Sequence, residues 1–424
     1  METIESILSV FFIALLIIYS SWIILFFYSR RKDRMLSKYP SVSVIVPAHD
    51  EERYIKNTLE SILDADYPSK REVIVVNDGS RDRTREIVAK MSEKDPRIRV
   101  IDTRHGGKSN AINTGAAKSK YDVLVVLDAD SVIEKNALAE IVKPLGSKKV
   151  AAVSGVIRAV ITPNPLTWFQ DFEYVLGSAW RHIYNNINST YILPVFVAIR
   201  KKALLEIRGF GTNILSEDAD LGIRFRKAGY ELTMSKATIY TKVPLNIRSL
   251  AKQRARWSRG IIQTFRTHRD VPFNLQYGAV GLYGIPLQIY WFLHGLVVIP
   301  ITLYQIFDGY LKYFVAYSNF LSLNVLKYFF GWLSAYGIVE YSYNTLAGNY
   351  PMTPFFVLVV ATFALNLAYN LLALSTFSRI GLRHLLVLFF FFPYSIFVLA
   401  AYLLPAIHEL FFGKKATAKW EKSY

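Results

Sequence analysis

Five long apolar runs divide this chain of 424 residues into membrane segments and one large water-soluble segment. They lie at Ile7–Tyr28, Gly278–Ile306, Phe320–Leu346, Phe355–Leu374 and Leu385–Phe412. Each is about as long as the ~20 residues that cross a hydrocarbon core of ~30 Å. The segment between residues 29 and 276 has no such run. A composition that is 52% hydrophobic and still 20% charged fits a soluble domain fused to membrane helices.

The basic residues that follow the first run predict the orientation in the membrane. Arg30, Arg31, Lys32 and Arg34 come after the apolar segment rather than before it, so the run is predicted to be an anchor and not a cleaved signal. Positive residues stay on the cytoplasmic side. We therefore expect a multi-pass protein of the cell membrane whose large domain faces the cytoplasm, although five spans would place the loop with Arg379 and Arg383 outside.

These patterns predict four regions along the chain. Residues 1–29 are predicted to form an N-terminal transmembrane helix, and residues 30–275 a large cytoplasmic domain with interfacial helices. About four transmembrane helices occupy residues 276–412, and residues 413–424 form a basic cytoplasmic tail.

The net charge of +17 is interpreted as contact with membrane lipids and pyrophosphate rather than with nucleic acid. Basic proteins often bind phosphate backbones, but no nucleic-acid-binding module is recognisable in this sequence. The chain has no cysteine, which excludes disulfides, zinc thiolate sites and a cysteine nucleophile.

Short β-branched runs alternate with helix-period segments between Ser41 and Ile157. Continuous apolar strands separated by helices predict an α/β domain whose mostly parallel sheet is covered on both faces. Ligands of such sheets bind beyond the carboxyl ends of the strands. The polar residues at those ends are therefore the candidates for function.

The first three strand ends carry polar residues with two interpretations each. The sequence VSVIVPAHDEE at Val42–Glu52 and Asp78 within VIVVNDGS could contact a nucleoside, or could be ordinary capping and turn chemistry. Lys108 follows a glycine pair that exposes backbone N–H groups, an environment suited to phosphate, or it could simply be solvated. The glycine spacing excludes a Walker A motif.

Asp128 and Asp130 end the most apolar strand, within YDVLVVLDAD. Two carboxylates beside a dry sheet repel each other and are costly to desolvate, so they need a partner. A hard divalent cation that bridges a diphosphate fits them well. The alternative is a salt bridge with a distant basic residue.

Two later segments complete the set of candidates. Ser216, Glu217 and Asp218 begin a predicted helix, where acidic residues are common for electrostatic reasons alone. Gln253, Arg256 and Trp257 could share one helix face, which would combine an amide, a guanidinium and an aromatic plate for sugar and pyrophosphate. The alternative there is an interfacial tryptophan with headgroup-binding arginines.

The ordered motifs VSVIVPAHDEE, VVNDGS, GGKSNAINTG, LDAD, SEDADLGIR and QRARW resemble the membrane-embedded family 2 glycosyltransferases. That family includes cellulose, hyaluronan and poly-N-acetylglucosamine synthases. The resemblance covers Ser41 to Trp257 and the flanking spans. It implies a GT-A nucleotide-sugar-binding domain fused to an α-helical transmembrane domain. The activity that it implies is that of a divalent-metal-dependent hexosyltransferase, which inverts the anomeric carbon of a nucleotide sugar that is usually linked to UDP.

The resemblance also implies a role for each candidate residue. Asp218 would be the catalytic base, and Asp130 would hold Mg²⁺ or Mn²⁺. The substrate-binding residues would be Ala48, His49, Glu51 and Asp78 at the nucleoside, Lys108 and Asp128 at the nucleotide sugar, and Gln253, Arg256 and Trp257 at the acceptor and pyrophosphate end. His49 stands where the family usually has tyrosine, Asp50 where it commonly has asparagine, and Pro194–Arg200 lacks a glycine-rich start.

The sequence thus predicts sugar transfer from a nucleotide-sugar donor to a growing polysaccharide or a glycolipid at the membrane. Transfer of a single sugar to a membrane lipid is the alternative within this class. A transporter or lipid-binding membrane protein with an inactive nucleotide-sugar domain is the alternative from another class, and four intact site residues argue against it: Asp128, Asp130, Asp218 and Arg256.

Overall fold

The structure is a computed structural model that describes residues 2–28, 35–194 and 196–413. The predicted basic segment with Arg30, Arg31, Lys32 and Arg34 lies outside the described residues, as does the predicted tail after Gly413.

The described residues form an α/β domain followed by a helical region. The strands are β1 (Val42–Ala48), β2 (Arg71–Asp78), β3 (Ile98–Thr103), β4 (Val123–Val126), β5 (Ser131–Ile133), β6 (Val150–Ala159), β7 (Val197–Arg200) and β8 (Glu231–Thr241). The helices of the first part are α1 (Glu2–Phe27), α2 (Ile55–Leu63), α3 (Thr84–Lys94), α4 (Lys108–Ala117), α5 (Ala137–Val142), α6 (Pro165–Asn186), α7 (Lys201–Glu206), α8 (Glu217–Lys227) and α9 (Ile247–Thr267). Those of the second part are α10 (Ile285–Tyr313), α11 (Leu323–Leu333), α12 (Tyr336–Leu346), α13 (Pro354–Phe377), α14 (Leu382–Phe389) and α15 (Phe391–Phe412).

The strands form one sheet in the order β3-β2-β1-β4-β7-β6-β8-β5. Strands β3, β2, β1 and β4 are parallel, which confirms the predicted parallel half. Beyond β4 the sheet is mixed, because β7 is antiparallel to both β4 and β6, and β5 is antiparallel to β8. The four residues of β7 are too few to show a period, so the sequence analysis did not predict this strand.

Apolar side chains cover both faces of the sheet. Val44 and Val46 of β1 pack in one buried cluster, and Ile45 between them packs in another on the opposite face. Helix α4 approaches β1 closely at Gly115, where an added Cβ would lie 2.6 Å from Ile45 Cγ2. This close approach fixes the start of α4, and with it Lys108, above the carboxyl end of the sheet.

Four helical segments are long and apolar enough to cross a membrane by length and composition, within the described part of the chain. They are Ile4–Phe27, Val280–Tyr317, Pro354–Phe377 and Phe391–Phe412. The predicted run Phe320–Leu346 instead forms α11 and α12, which are separated at Ser334. Each has 11 residues and is therefore ~16 Å long, about half of the hydrocarbon core.

Helices α1, α10 and α13 pack side by side. The ring of Phe12 in the middle of α1 contacts that of Phe355 near the start of α13, and the rings of Phe26 and Phe377 make contact near both ends, so the two helices are parallel. Helix α10 is antiparallel to α1, because Trp291 contacts Trp22 near the end of α1 whereas the later residue His294 contacts Phe11 in its first half.

The end of α13 is attached to the α/β domain by a buried ion pair. The Arg158 guanidinium donates two hydrogen bonds to Asp171, of 2.8 and 2.7 Å, and a third of 2.8 Å to the carbonyl oxygen of Phe377. The turn after α13, with Arg379 and Arg383, therefore lies against the domain. Its predicted position on the opposite side is wrong, because the segment Phe320–Leu346 was counted as a span and does not form one long helix.

Helix α15 lies along α9 in the same direction. Near the start of α15, Tyr394 donates a hydrogen bond to Glu173, which also accepts one from Arg254 of α9. Further along both helices, the carbonyl oxygen of Tyr402 accepts a hydrogen bond from the Ser258 hydroxyl. Near the end, Glu409 of α15 accepts hydrogen bonds from Arg259 and Gln263 of α9. Helix α15 thus stays beside the α/β domain over its length, and Glu409 is 1% exposed in a run that the sequence analysis considered only as apolar.

Replacing Arg158 by alanine is expected to lower the free energy of unfolding by about 3–5 kcal/mol, because Asp171 would remain buried without its cation. The double variant Arg158→Met/Asp171→Leu should recover most of this loss, since neither charge is then buried alone. Thermal unfolding of the detergent-solubilised protein, followed by tryptophan fluorescence, measures both. Arg85→Ala removes the exposed pair with Asp102 and should cost less than about 1 kcal/mol; equal losses in both single variants would contradict the assignment.

Candidate active site

Asp78 organises the strand ends on the β2 side of the site. Its buried carboxylate accepts backbone N–H bonds from Gly106 and Gly107, both 2.9 Å, and a 3.2 Å bond from the Thr103 hydroxyl. His105 Nδ1 lies 3.0 Å from the same carboxylate. Asp78 therefore holds the glycine pair that precedes α4, a structural role that the sequence analysis did not predict.

The residues after β1 lie next to this loop. The rings of His49 and His105 stack with centroids 4.2 Å apart, and His49 Nδ1 lies 2.8 Å from the carbonyl oxygen of Asp78. Ala48 and Glu51 are buried, and the Glu51 N–H donates a 2.7 Å bond to the Thr84 hydroxyl. The predicted nucleoside-binding residues Ala48, His49, Glu51 and Asp78 are thus brought together at one edge of the sheet.

His49, Asp78 and His105 also form a possible metal site. They offer ligand atoms that all lie within 4.8 Å of one another. The sequence analysis did not predict this trio, because the two histidines are far apart in the chain and only the β1 and β3 ends bring them together. A metal ion there would compete with the two amide N–H groups for Asp78.

Lys108 is the centre of a charged cluster. Its Nζ lies 2.7 Å from Asp128 Oδ1 and 3.4 Å from Glu217 Oε1. Burial alone would lower the pKa of Lys108, but the charges of Asp128 and Glu217 outweigh burial and raise this pKa above its ordinary value. The cluster joins the end of β4, the start of α4 and the start of α8. The alternative that Asp128 forms a salt bridge with a distant basic residue therefore holds.

Asp130 faces a different environment from Asp128. Its side chain is buried, and Oδ1 accepts bonds of 3.0 Å from the Ser131 hydroxyl and 3.4 Å from the Thr241 hydroxyl. It lines a cleft of about 860 Å³ between the α/β domain and the turn after α13. Strand β4 ends at Val126, so both aspartates lie in the loop that follows the strand and not in the strand itself.

Asp218 lies in the first turn of α8, half-buried, with Oδ1 accepting from the N–H of Ala219 at 2.9 Å. Burial, followed by the negative charge of Glu217, raises the pKa of Asp218 to about 6. The Ala219 N–H and the charge of Lys108 act in the opposite direction. A carboxyl group with this pKa is ionised near neutral pH and can still accept a proton readily.

Helix α9 supports the segment that leads into Asp218. An added Cβ at Gly260 would lie 2.1 Å from the Ser216 hydroxyl oxygen, so the two backbones touch. On the other side of α8, an added Cβ at Gly222 would lie 1.8 Å from the carbonyl oxygen of Tyr191. Gly260 thus lets α9 approach the start of α8, and Gly222 lets α8 approach the segment with Tyr191, so α8 with Asp218 is held from both sides.

The segment from Gln253 to Trp257 differs from its prediction. Arg254, which was not predicted as a site residue, is fully buried and donates a 2.7 Å bond to Glu173. It also donates to Gln253 Oε1 and lies over the Trp257 ring at 4.4 Å from the centroid. One face of the predicted aromatic plate is therefore already covered. The basic residues inside QRARW were visible in the sequence, but their pairing with Glu173, 81 residues away, was not.

Arg256 lies two residues after Arg254 in the same helix, α9. Its Nε is buried and has no hydrogen-bond partner within the described residues. Its positive charge lowers the pKa of Lys108, so the two cations lie within electrostatic range of each other. Two neighbouring cations form an environment suited to a diphosphate.

Comparison with known proteins concerns the part of the site that lies before residue 209. Residues 43–208 match the family model described as Glycosyl transferase family 2. This part of the chain is therefore similar to family 2 glycosyltransferases. This confirms the resemblance drawn from the sequence motifs.

Two curated relatives extend the similarity. The probable glycosyltransferase YdaM of Bacillus subtilis strain 168 is 35% identical over 239 residues, which cover 53% of this chain and 56% of YdaM. The poly-β-1,6-N-acetyl-D-glucosamine synthase of Staphylococcus epidermidis is 29% identical over 296 residues, 68% of each chain. The matched region thus spans little more than half of YdaM.

A solved structure supports the fold. The mannosyltransferase PcManGT from Pyrobaculum calidifontis, in complex with GDP-Man and Mn²⁺, superposes with a TM-score of 0.60 at 21% identity. The match covers 89% of this chain and 98% of that protein, so it includes helices outside the α/β domain. The predicted GT-A architecture is confirmed.

Gly260→Ala is expected to reduce the free energy of unfolding by about 1–3 kcal/mol, because the new methyl group overlaps Ser216. Gly177→Ala is the matched control in the middle of α6, since its added Cβ would lie 3.7 Å from Trp180 Nε1, an ordinary contact. The control should be neutral or stabilised by up to about 1 kcal/mol, the usual helical preference for alanine. Thermal unfolding in detergent distinguishes the two, and equal stability of both variants would disprove the close contact.

Proposed function

We propose that this chain is a membrane-bound inverting glycosyltransferase that moves a sugar from a UDP-linked donor to a glycan or lipid acceptor at the membrane. The observation that carries the proposal is the convergence of Asp218, Glu217, Lys108 and Asp128 at one edge of the sheet. It supplies a proton acceptor and a phosphate-binding cation within a single charged cluster.

The donor is proposed to bind across the carboxyl ends of β1, β2 and β4. Lys108 and Arg256 would contact the diphosphate, Asp128 the nucleotide sugar, and Ala48, His49, Glu51 and Asp78 the nucleoside. The internal bonds of Asp78 support an indirect part of this role, because they shape the loop that presents Lys108. Gln253 and Trp257 would contribute at the acceptor end, Trp257 through the part of its indole ring that Arg254 does not cover.

Asp130 is the residue that we propose for Mg²⁺ or Mn²⁺. A buried carboxylate that lines a cleft, with hydroxyl groups of Ser131 and Thr241 beside it, offers the oxygen ligands that these ions prefer. The presence of Mn²⁺ with GDP-Man in PcManGT, which has a similar fold, supports this proposal. A bound divalent cation would supply positive charge to offset the charge that develops on the departing diphosphate.

Asp218 is proposed to act as the general base. The acceptor hydroxyl oxygen attacks the anomeric carbon while the bond from that carbon to the donor diphosphate breaks, so the nucleoside diphosphate leaves with the bonding electrons. The hydroxyl proton passes to the Asp218 carboxylate. Attack opposite the leaving group inverts the anomeric carbon.

The acceptor class is proposed from the relatives. Similarity over 68% of a poly-β-1,6-N-acetyl-D-glucosamine synthase favours a growing polysaccharide. Transfer of a single sugar to a membrane lipid is the alternative. The mass of the product distinguishes the two, since a polymerase yields a ladder spaced by one sugar.

Asp218→Asn is expected to reduce nucleoside diphosphate release by about 10²–10⁴-fold, the usual contribution of a general base. Donor binding should be retained, because the substitution keeps the shape of the side chain. Asp64→Asn, an exposed aspartate on the same domain, is the matched control and should release nucleoside diphosphate at the wild-type rate. Steady-state assays of the purified protein with UDP-sugars and Mn²⁺ make the comparison; full activity of Asp218→Asn would remove this residue from the mechanism.

The pH dependence follows from the pKa of about 6 for Asp218. A base must be deprotonated to act, so kcat/KM should be constant above this pKa and fall about tenfold per pH unit below it. Glu217→Gln removes a negative charge that raises the pKa of Asp218, so the acidic limb should move to lower pH. Initial rates between about pH 4.5 and 8 test this. The control is Glu93→Gln, because Glu93 is exposed. An acidic limb that stays in place in Glu217→Gln would be evidence against Asp218 as the general base.

A further inference from the structure

Two histidine rings stack on each other beside Asp78, at the edge of the sheet where we propose that the nucleoside binds. The ring centroids of His49 and His105 are 4.2 Å apart, and the ring planes differ by 27°. One nitrogen of each ring and one carboxylate oxygen of Asp78 all lie within 4.8 Å of one another. The hydrogen bonds around this trio determine which atoms can bind a metal ion.

The carboxylate of Asp78 is already occupied by hydrogen-bond donors. Its Oδ1 accepts bonds of 2.9 Å from the Gly106 N–H and 3.2 Å from the Thr103 hydroxyl. Its Oδ2 accepts a 2.9 Å bond from the Gly107 N–H and lies 3.0 Å from His105 Nδ1. A carboxylate has about four lone-pair sites, and these four groups use them. Asp78 is therefore suited to orient the histidines rather than to bind a metal directly.

The same hydrogen bonds decide which nitrogen of each histidine carries the proton. His49 Nδ1 lies 2.8 Å from the carbonyl oxygen of Asp78, and His105 Nδ1 lies 3.2 Å from the same oxygen. A carbonyl oxygen only accepts hydrogen bonds, so each Nδ1 is the donor. In a neutral imidazole Nε2 then has the lone pair that binds metals. Metal-binding histidines generally donate their other N–H to a carbonyl or a carboxylate in this way.

Asp50 supplies a second carboxylate on the Nε2 side of His49. Its Oδ2 lies 3.6 Å from His49 Nε2, which is too long for a hydrogen bond. This separation is close to the ~3.3 Å between two ligands of a tetrahedral ion with bonds of ~2.0 Å. The Arg81 N–H donates a 2.7 Å bond to Asp50 Oδ1 and holds the side chain in place. The side chains of Asp50 and His105 are 43% and 46% exposed, so an ion can reach them from solvent.

The chemistry of these groups selects the kind of ion. Two imidazole nitrogens and one carboxylate suit Zn²⁺ and neighbouring transition metals, whereas Mg²⁺ prefers oxygen ligands. Asp130 has a different environment, because the hydroxyl oxygens of Ser131 and Thr241 lie beside it. The two places are therefore suited to different ions.

We propose that His49 Nε2, His105 Nε2 and the Asp50 carboxylate form a binding site for Zn²⁺, separate from the proposed Mg²⁺ or Mn²⁺ site at Asp130. The exposed side chain of His105 turns its Nε2 toward the ion, and a fourth position remains open for water. The regulatory consequence rests on the proposed function. His49 is a proposed contact of the nucleoside, so Zn²⁺ bound to His49 excludes the donor and inhibits sugar transfer.

Titration with Co²⁺ measures the metal site directly, because Co²⁺ bound by nitrogen ligands absorbs visible light. The full chain without a histidine tag is titrated in detergent with excess Mg²⁺ present. Wild type should bind one Co²⁺, and Zn²⁺ should displace it. Asp50→Asn and His105→Gln should each weaken Co²⁺ binding by about tenfold or more, since each removes one ligand. Asparagine readily adopts the positive φ of 54° found at Asp50, so this variant keeps its fold.

His408→Gln is the matched control, because His408 is an exposed histidine of α15. This variant and Asp130→Asn should bind Co²⁺ with the affinity of wild type. Absence of Co²⁺ binding in wild type, or an unchanged affinity in Asp50→Asn or His105→Gln, would overturn the proposed ligands. A loss of Co²⁺ binding in Asp130→Asn alone would place the ion at Asp130 and overturn the proposal as well.

Binding of UDP measures the competition with the nucleoside. At about ten times its Kd, Zn²⁺ should weaken UDP binding to wild type about tenfold, and to Asp50→Asn about twofold or less. The variant corrects for Zn²⁺ that binds UDP in solution. Equal effects of Zn²⁺ on both proteins would overturn the competition. Failure of both proteins to bind UDP without Zn²⁺ would contradict the proposed donor, whereas the Co²⁺ titration would still decide the metal site.

Discussion

The contact of Lys108 with Asp128 and Glu217 is the interaction on which the site depends. It joins three segments that are far apart in the chain: the start of α4, the loop after β4 and the start of α8. Lys108 contacts both carboxylates, and burial together with the negative charge of Glu217 raises the pKa of the neighbouring Asp218 to about 6. Without Lys108, three acidic side chains would repel one another at the edge of the sheet.

The glycine loop before α4 determines where Lys108 lies in this cluster. Asp78 fixes the amide groups of Gly106 and Gly107, and Gly115 lets α4 lie close to β1. Both features determine the position of Lys108, which is the first residue of α4. The loop held by Asp78 and the charged cluster around Lys108 are therefore coupled through one short helix rather than through the sheet alone.

The parallel half of the sheet could be predicted from the sequence, because each strand is a continuous apolar run that ends in polar residues. Asp128, Lys108 and Asp218 could be proposed as candidate site residues because their motifs are local. The pairing of Arg254 with Glu173 could not be predicted, since it depends on how α6 and α9 pack. The break at Ser334 was missed because hydropathy does not register a helix interruption between two apolar halves, and this error placed the α13–α14 turn on the wrong side.

The alignment of α15 with α9 has a mechanical consequence. Glu409 accepts hydrogen bonds from Arg259 and Gln263, and the Ser258 hydroxyl donates one to the carbonyl oxygen of Tyr402. These bonds oppose sliding of α15 along α9. The outer surface of α15 is apolar and exposed at Leu404 and Phe411. A change in bilayer thickness or lateral pressure that displaces α15 would consequently displace α9, and Arg256 and Trp257 would shift together with it.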